Sequence, residues 1–211
     1  LHAHGGNSWQ RFLVFVERDF CHISVPLFVS AAEHHCHKNG GNNVMRCMTP
    51  LGAIILGAIA GAVGTTAMDL ALYARHRASG GSDRFLAWEF GGKSDWESVS
   101  APAQVGRRLY EGLLQRPLAD RWARLTNNLA HWGYGIGWGC TFGVVGGTLR
   151  RLPLAAGPTF GACVWVSSYV TLPLLGLYKP IWKYSFTELA PDLAAHLVYG
   201  TVTERTFSTL A

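Results

Sequence analysis

The chain has 211 residues, of which 49% are hydrophobic and only 15% charged, with a formal net charge of +5. An average soluble chain carries about 25% charged residues. The basic residues flank apolar segments and form no stripe, so the expected partner is a lipid bilayer with anionic head groups and not nucleic acid. The five cysteines include no CxxC pair, which argues against a disulfide framework.

In chain order, the sequence opens on Leu1, and residues 1–44 lack helical periodicity. This stretch is expected to be a poorly ordered extension, or to precede the true start; Met45 and Met48 stand just before the first strong apolar segment. Its apolar run from Phe12 to Val16 is broken by Glu17, Arg18 and Asp19, too short for a span. The cluster His34, His35, Cys36 and His37 lacks a second ligand pair at finger spacing, so no metal site is expected there. Residues 45–211 are expected to form a transmembrane helix-bundle domain. Four segments approach the roughly 20 apolar residues that a span requires: about 50–73, 129–149, 154–177 and 189–210. The last is marginal, with Asp192, Glu204 and Arg205; a surface helix is its alternative. Adjacent Glu204 and Arg205 are expected to mark the far interface and snorkel out. Pro158 falls in a first turn, where it costs little, and Pro173 should kink or end its helix.

Residues 74–126 read as a polar loop with turns at Ser79-Gly80-Gly81-Ser82 and Gly91-Gly92. Within it, Pro102 to Gln115 reads as a short amphipathic helix, with Val105, Leu109 and Leu113 spaced four apart on one face. It is expected to lie along the membrane surface; the alternative, with Arg107, Arg108 and Arg116 near that face, is a docking site for an acidic partner. Arg75, Arg77, Arg121 and Arg124 near the loop's membrane ends, with Lys179 and Lys183 on the same side, place this loop in the cytoplasm; Arg46, Arg150 and Arg151 oppose that assignment.

Gly135, Gly139, Gly143 and Gly147 recur at a strict spacing of four. Residues four apart share a helix face, and a ridge without side chains lets a neighbouring helix approach closely. Gly57 and Gly61 add a second such pair, and Gly157 and Gly161 a third. These faces are expected to pack helices within the chain, and they also admit a homo-oligomer. Ala130-His131-Trp132-Gly133-Tyr134-Gly135 matches Ala195-His196-Leu197-Val198-Tyr199-Gly200 as A-H-x-x-Y-G. The first and third segments share G-x-x-x-G-A. The reading is an all-α polytopic bundle of four transmembrane helices built as two parallel two-helix repeats.

This order of pieces resembles the YagU-like family of small bacterial inner-membrane proteins. The likeness is carried by the Gly-rich first span, Ala130-His131-Trp132 opening a Gly-rich second span, and Gly157 to Gly161. It continues through Leu172-Pro173-Leu174-Leu175-Gly176-Leu177, Pro180 and His196-Leu197-Val198. It covers about residues 52–210, and the long loop matches poorly. The resemblance implies an inner-membrane location and supplies no reaction.

Ionisable residues within spans usually face the bundle interior. Asp69, His131 and His196 are expected to form one polar layer near the loop face. Tyr134 and Tyr199 stand three residues beyond each His, and Asp192 is nearby; the six together are a candidate relay. The bland reading is that each His satisfies a carbonyl or hydroxyl and locks helices together. Tyr73, Trp122, Tyr178, Trp182 and Tyr184 should ring the same interface as an aromatic belt. No phosphate loop, GxSxG, HExxH or dinucleotide fingerprint occurs, so no enzyme is expected. The functional reading is a structural or accessory membrane protein. The alternative is a proton or small-solute transporter or channel using the Asp/His layer. A haem held between His131 and His196 is a third reading; each half offers one candidate ligand, so no cofactor is expected.

Overall fold

The computed structural model describes residues 48–91, 95–96, 99–149 and 152–211. The 1–44 extension with His34, His35, Cys36 and His37, and the flanking Arg46, Arg150 and Arg151, lie outside the described residues. The fold is all-α: among the described residues there are helices and no strands. Residues 48–211 form one compact unit.

Helix α1 spans Pro50–Ala78. Thr49 starts it, its Oγ1 accepting the Gly52 N–H at 3.1 Å, with Pro50 at the first helical position, where its missing N–H is no loss. It runs a turn past the expected end. Gly80, at φ +95°, stops it: the Gly80 N–H reaches the Arg77 carbonyl and the Gly81 N–H the His76 carbonyl, the double bond of a Schellman cap. Arg75, His76 and Arg77 in the last turn face the negative end of the helix dipole.

The expected polar loop is folded. It carries a short helix, α2 (Phe85–Gly91), that the sequence reading missed, and α3 (Ala101–Leu114), one residue from its expected place. Trp96 is buried with Ala103 and Ala123 in a small core of its own, and its indole N–H donates to the Leu118 carbonyl at 2.9 Å. The expected apolar face of α3 does not pack inward. Leu109 and Leu113 are exposed, and the contact with the bundle is made by Gly106 against Thr126 and Ala130.

A 3-10 turn at Asp120–Trp122 leads into α4 (Ala123–Gly147), followed by α5 (Ala156–Leu174) and α6 (Phe186–Leu210). Pro173 stands one residue before the end of α5. Gly176, at φ +67°, completes a second Schellman cap, with Gly176 and Leu177 donating to the Pro173 and Leu172 carbonyls. At the start of α6 the Glu188 carboxylate accepts from both the N–H and the hydroxyl of Ser185, each at 2.7 Å.

Helix α1 is central: α4 and α6 both pack against its buried face, and α5 packs on α6. The glycines explain how. A Cβ on Gly61 would stand 2.7 Å from the Gly135 carbonyl oxygen and 2.8 Å from the Gly139 Cα; one on Gly57 would stand 2.9 Å from the Gly143 Cα. Backbone therefore rests on backbone, antiparallel, and only glycine fits. Gly157 and Gly161 meet Gly200, Thr201 and the His196 carbonyl of α6 in the same way. Phe142 and Phe207 fill the remaining space with Ala60. Gly147 is less tightly held, with the Ala53 Cβ 3.1 Å from an added methyl.

The polarity of α1 is the reverse of a soluble core helix. Its buried face is Ala53, Gly57, Ala60, Gly61, Gly64, Thr65 and Asp69, while Leu51, Ile54, Ile55, Ile59, Val63 and Leu70 are exposed. Among the described residues, α1 is the one helix long and apolar enough to cross a membrane. Glycine, serine and proline dilute the apolarity of α4 and α5, and α6 carries Asp192, Glu204 and Arg205. Glu204 also departs from expectation. It is buried, accepts from the Ser208 hydroxyl at 2.9 Å and lies against Gly157; only Arg205 reaches outward.

Replacing a helical glycine by alanine ordinarily stabilises a helix by up to about 1 kcal/mol, whereas overpacking costs about 1–3 kcal/mol. Gly139→Ala should therefore lower the thermal midpoint in detergent. Gly137→Ala, two residues away, where an added methyl meets nothing within 4 Å, should leave it unchanged or raise it. Equal behaviour of the two would refute the backbone contact.

Candidate functional site

The six candidate relay residues separate into two clusters where one layer was expected. In the first, Asp69 of α1 is 2% exposed, one face of its helix being pressed against α4. The His131 Nε2 lies 3.0 Å from Asp69 Oδ1 and 3.2 Å from Oδ2, so its N–H donates to the carboxylate. The chain then turns back through Gly80, and α2 brings Glu89 to the same place. The Trp132 indole N–H, next in sequence to His131, donates to Glu89 Oε1 at 3.2 Å. Burial raises the Glu89 pKa above the usual carboxylate range, and the Asp69 charge raises it further; His131 and the Trp132 N–H partly offset both. Glu89 lay in the region read as a loop. The run Phe85-Leu86-Ala87-Trp88-Glu89-Phe90 was the available signal, apolar enough for a helix but only two turns long.

In the second cluster Asp192 of α6 accepts from two α5 side chains, the Trp165 indole at 3.0 Å and the Tyr169 hydroxyl at 2.9 Å. His196 turns back to its own helix, its Nδ1 2.8 Å from the Asp192 carbonyl oxygen and 3.5 Å from Asp192 Oδ1. Among the described residues no hydrogen bond joins His196 to Asp69 or His131. The two tyrosines act as cross-ties. Tyr199 donates to the Gly135 carbonyl of α4 at 2.7 Å, and the Tyr134 hydroxyl lies 3.2 Å from both Ser167 and Ser168 of α5.

The separation follows from the packing register. Matching A-H-x-x-Y-G pairs His131 with His196, 65 residues apart. The glycine contacts pair differently. Methyls on Gly57 and Gly61 would meet the carbonyls of Gly139 and Gly135; methyls on Gly157 and Gly161 would meet those of Gly200 and His196. Gly139 thus corresponds to Gly200, one helical turn away from the sequence match. In that register His131 corresponds to Asp192, and Asp69 to Tyr169. The Asp69–His131 pair and the Tyr169–Asp192 bond occupy equivalent positions, each linking the two helices of its half. The expectation that the two histidines are equivalent is corrected accordingly.

The antiparallel contacts put the ends of α1 and α5 and the starts of α4 and α6 at one end of the bundle. Tyr73, Trp122, Tyr178, Trp182 and Tyr184 all fall at this end, with Trp182 80% exposed. Tyr73 packs edge-on to Phe85 with ring centroids 5.2 Å apart, and the rings of Tyr169, Tyr178 and Tyr184 cluster. Arg108 of α3 donates to the Leu175 carbonyl at the end of α5, tying the folded loop to this end.

The chain matches no family model, no curated protein and no solved structure. The resemblance to the YagU-like family therefore rests on the quoted residues alone.

Leaving a buried partner unsatisfied costs about 1–3 kcal/mol. Asp69→Asn and His131→Gln should each destabilise the protein by about that amount, and the double variant should lose less than the sum by at least about 0.5 kcal/mol. Asp69→Asn and Asp192→Asn should instead be additive within about 0.5 kcal/mol. Denaturation in detergent measures both cycles. Strong coupling between Asp69 and Asp192 would restore the single layer.

Proposed function

We propose that this chain is a polytopic membrane helix bundle in which α1, α4, α5 and α6 are four spans, with a structural or accessory role in a bacterial inner membrane. The observation that carries the reading is the inverted polarity of α1: glycine, alanine, threonine and aspartate inside, isoleucine, leucine and valine outside. Water would drive such a helix to turn over. Lipid favours it, because outward aliphatic chains cost nothing there and inward small residues gain backbone contact. Exposed Val166, Val170 and Leu174 on α5 and Leu129 and Val145 on α4 continue the outer surface. A homo-oligomer would use faces other than the glycine ridges, which meet helices of the same chain.

The aromatic end supports an interfacial position. Arg75, Arg77, Arg121, Arg124, Lys179 and Lys183 lie at that end, which favours the cytoplasm for α2 and α3. Leu109, Leu113 and Leu114, exposed on α3, suit contact with the head-group layer. The inner-membrane assignment draws on the YagU-like resemblance.

A second reading, proton movement, is favoured by one observation: the buried Asp69–His131 pair is met by Glu89 from the loop side. Carboxylate and imidazole can exchange protons near neutral pH. His196, turned to its own helix, has no part in that path.

In cells the chain should remain in carbonate-washed membranes. In a background with the native cysteines replaced, Ser82→Cys, exposed in the turn after α1, should resist an impermeant thiol reagent until the membrane is opened. Release by carbonate would overturn the integral assignment, and ready labelling in intact cells would reverse the orientation. Liposome proton flux that is abolished by His131→Ala would favour the second reading; flux equal to that of empty liposomes would leave the accessory role.

A further inference from the structure

We infer that Asp69, Glu89 and His131 form a binding site for a divalent first-row transition cation, fixed by Trp132. The inference does not depend on a lipid surround. One ligand atom from each of the three residues can be chosen so that all lie within 4.8 Å of one another. Donors bound to one such ion at about 2.0–2.2 Å stand about 3–4 Å apart. The His131–Asp69 separations of 3.0 and 3.2 Å fall at the close end of that range. Three separate elements, α1, α2 and α4, deliver the three residues.

Two further observations point to a cation. Asp69 is a buried carboxylate and Glu89 a half-buried one brought beside it, yet among the described residues neither is paired with a lysine or arginine. Basic residues are plentiful at this end of the bundle, and Arg107 pairs with Glu111 at 2.9 Å nearby in sequence. Among the described residues the one basic partner of Asp69 is His131, charged only when protonated, so the site holds no permanent counter-charge of its own. The Trp132 N–H on Glu89 Oε1 is the kind of outer contact that holds a ligating carboxylate in place while leaving its second oxygen to a metal. One neutral imidazole with two carboxylates suits Zn2+, Mn2+ or Fe2+, since the imidazole favours transition metals over Mg2+ or Ca2+.

Co2+ titration of the purified full chain in detergent tests this, because its visible absorption reports ligand geometry. His34, His35, Cys36 and His37 should first be replaced by alanine to remove binding by that segment. One equivalent of Co2+ should bind with visible d–d bands that Zn2+ displaces. Glu89→Gln and His131→Ala should weaken binding at least about tenfold, Trp132→Phe should weaken it by about 10–100-fold, and Asp192→Asn should leave it unchanged. Zn2+ should also raise the thermal midpoint of the parent chain, but not that of Glu89→Gln. Absence of one-equivalent binding in the parent chain would overturn the site. So would binding that Glu89→Gln and Trp132→Phe leave intact, or that Asp192→Asn weakens as much as they do.

Discussion

Backbone contact between α1 and α4 is the constraint on which the rest of the structure depends. Gly57 and Gly61 lie against Gly135, Gly139 and Gly143 so closely that a methyl on any of them meets main-chain atoms or the Thr65 hydroxyl. Helices held this close cannot slide by a turn without driving Thr65 or Asp69 into the facing backbone. The register in turn fixes which polar groups meet. Asp69 comes opposite His131, and the turn at Gly80 delivers Glu89 and its helix to the same end. The same buried face of α1 uses one more small residue, Gly64, against Tyr199 and Thr203 of α6. Tyr199 then crosses to the Gly135 carbonyl, so the two halves are tied through the same glycine-rich seam.

The halves share a packing plan more closely than they share a sequence. Each is an antiparallel helix pair with glycine contacts and a polar link between its helices, and the first helix of each ends in a Schellman cap. What occupies the polar position differs: an Asp–His pair in one half, and a Tyr–Asp bond reinforced by Trp165 in the other. The second half is closed by its own tyrosines. The first alone receives an acidic side chain from the folded loop, and this asymmetry is why the chemistry on offer is concentrated at Asp69, Glu89 and His131.

Much of this was legible in the sequence where the signal was repetitive. Spacing of four gave the glycine seam, and the apolar segments gave all four long helices to within a few residues at most ends. The Asp69–His131 meeting followed from their equal depth. Three features were not legible. The repeat register was off by one turn because the A-H-x-x-Y-G match tracks residue identity, while packing tracks which residue lacks a side chain at the contact. Glu204 was assigned to the interface through its neighbour Arg205, but standing four residues after Gly200 it shares that glycine's inward face. Glu89 and the Trp96 core were hidden because short elements in a Gly- and Ser-rich stretch carry too few turns for periodicity to show.

Cysteine cross-linking of α1 to α4 in native membranes tests the seam most directly. In a background without the native cysteines, Ala53→Cys with Gly147→Cys joins positions where a Cβ added to Gly147 would stand 3.1 Å from the Ala53 Cβ, close to the separation of about 3.5–4.5 Å found in disulfides. This pair should oxidise rapidly within one chain, and Ile54→Cys with Gly147→Cys, with Ile54 on the exposed face, should not. Equal cross-linking of both pairs, or none in the first, would contradict a glycine-registered α1–α4 contact.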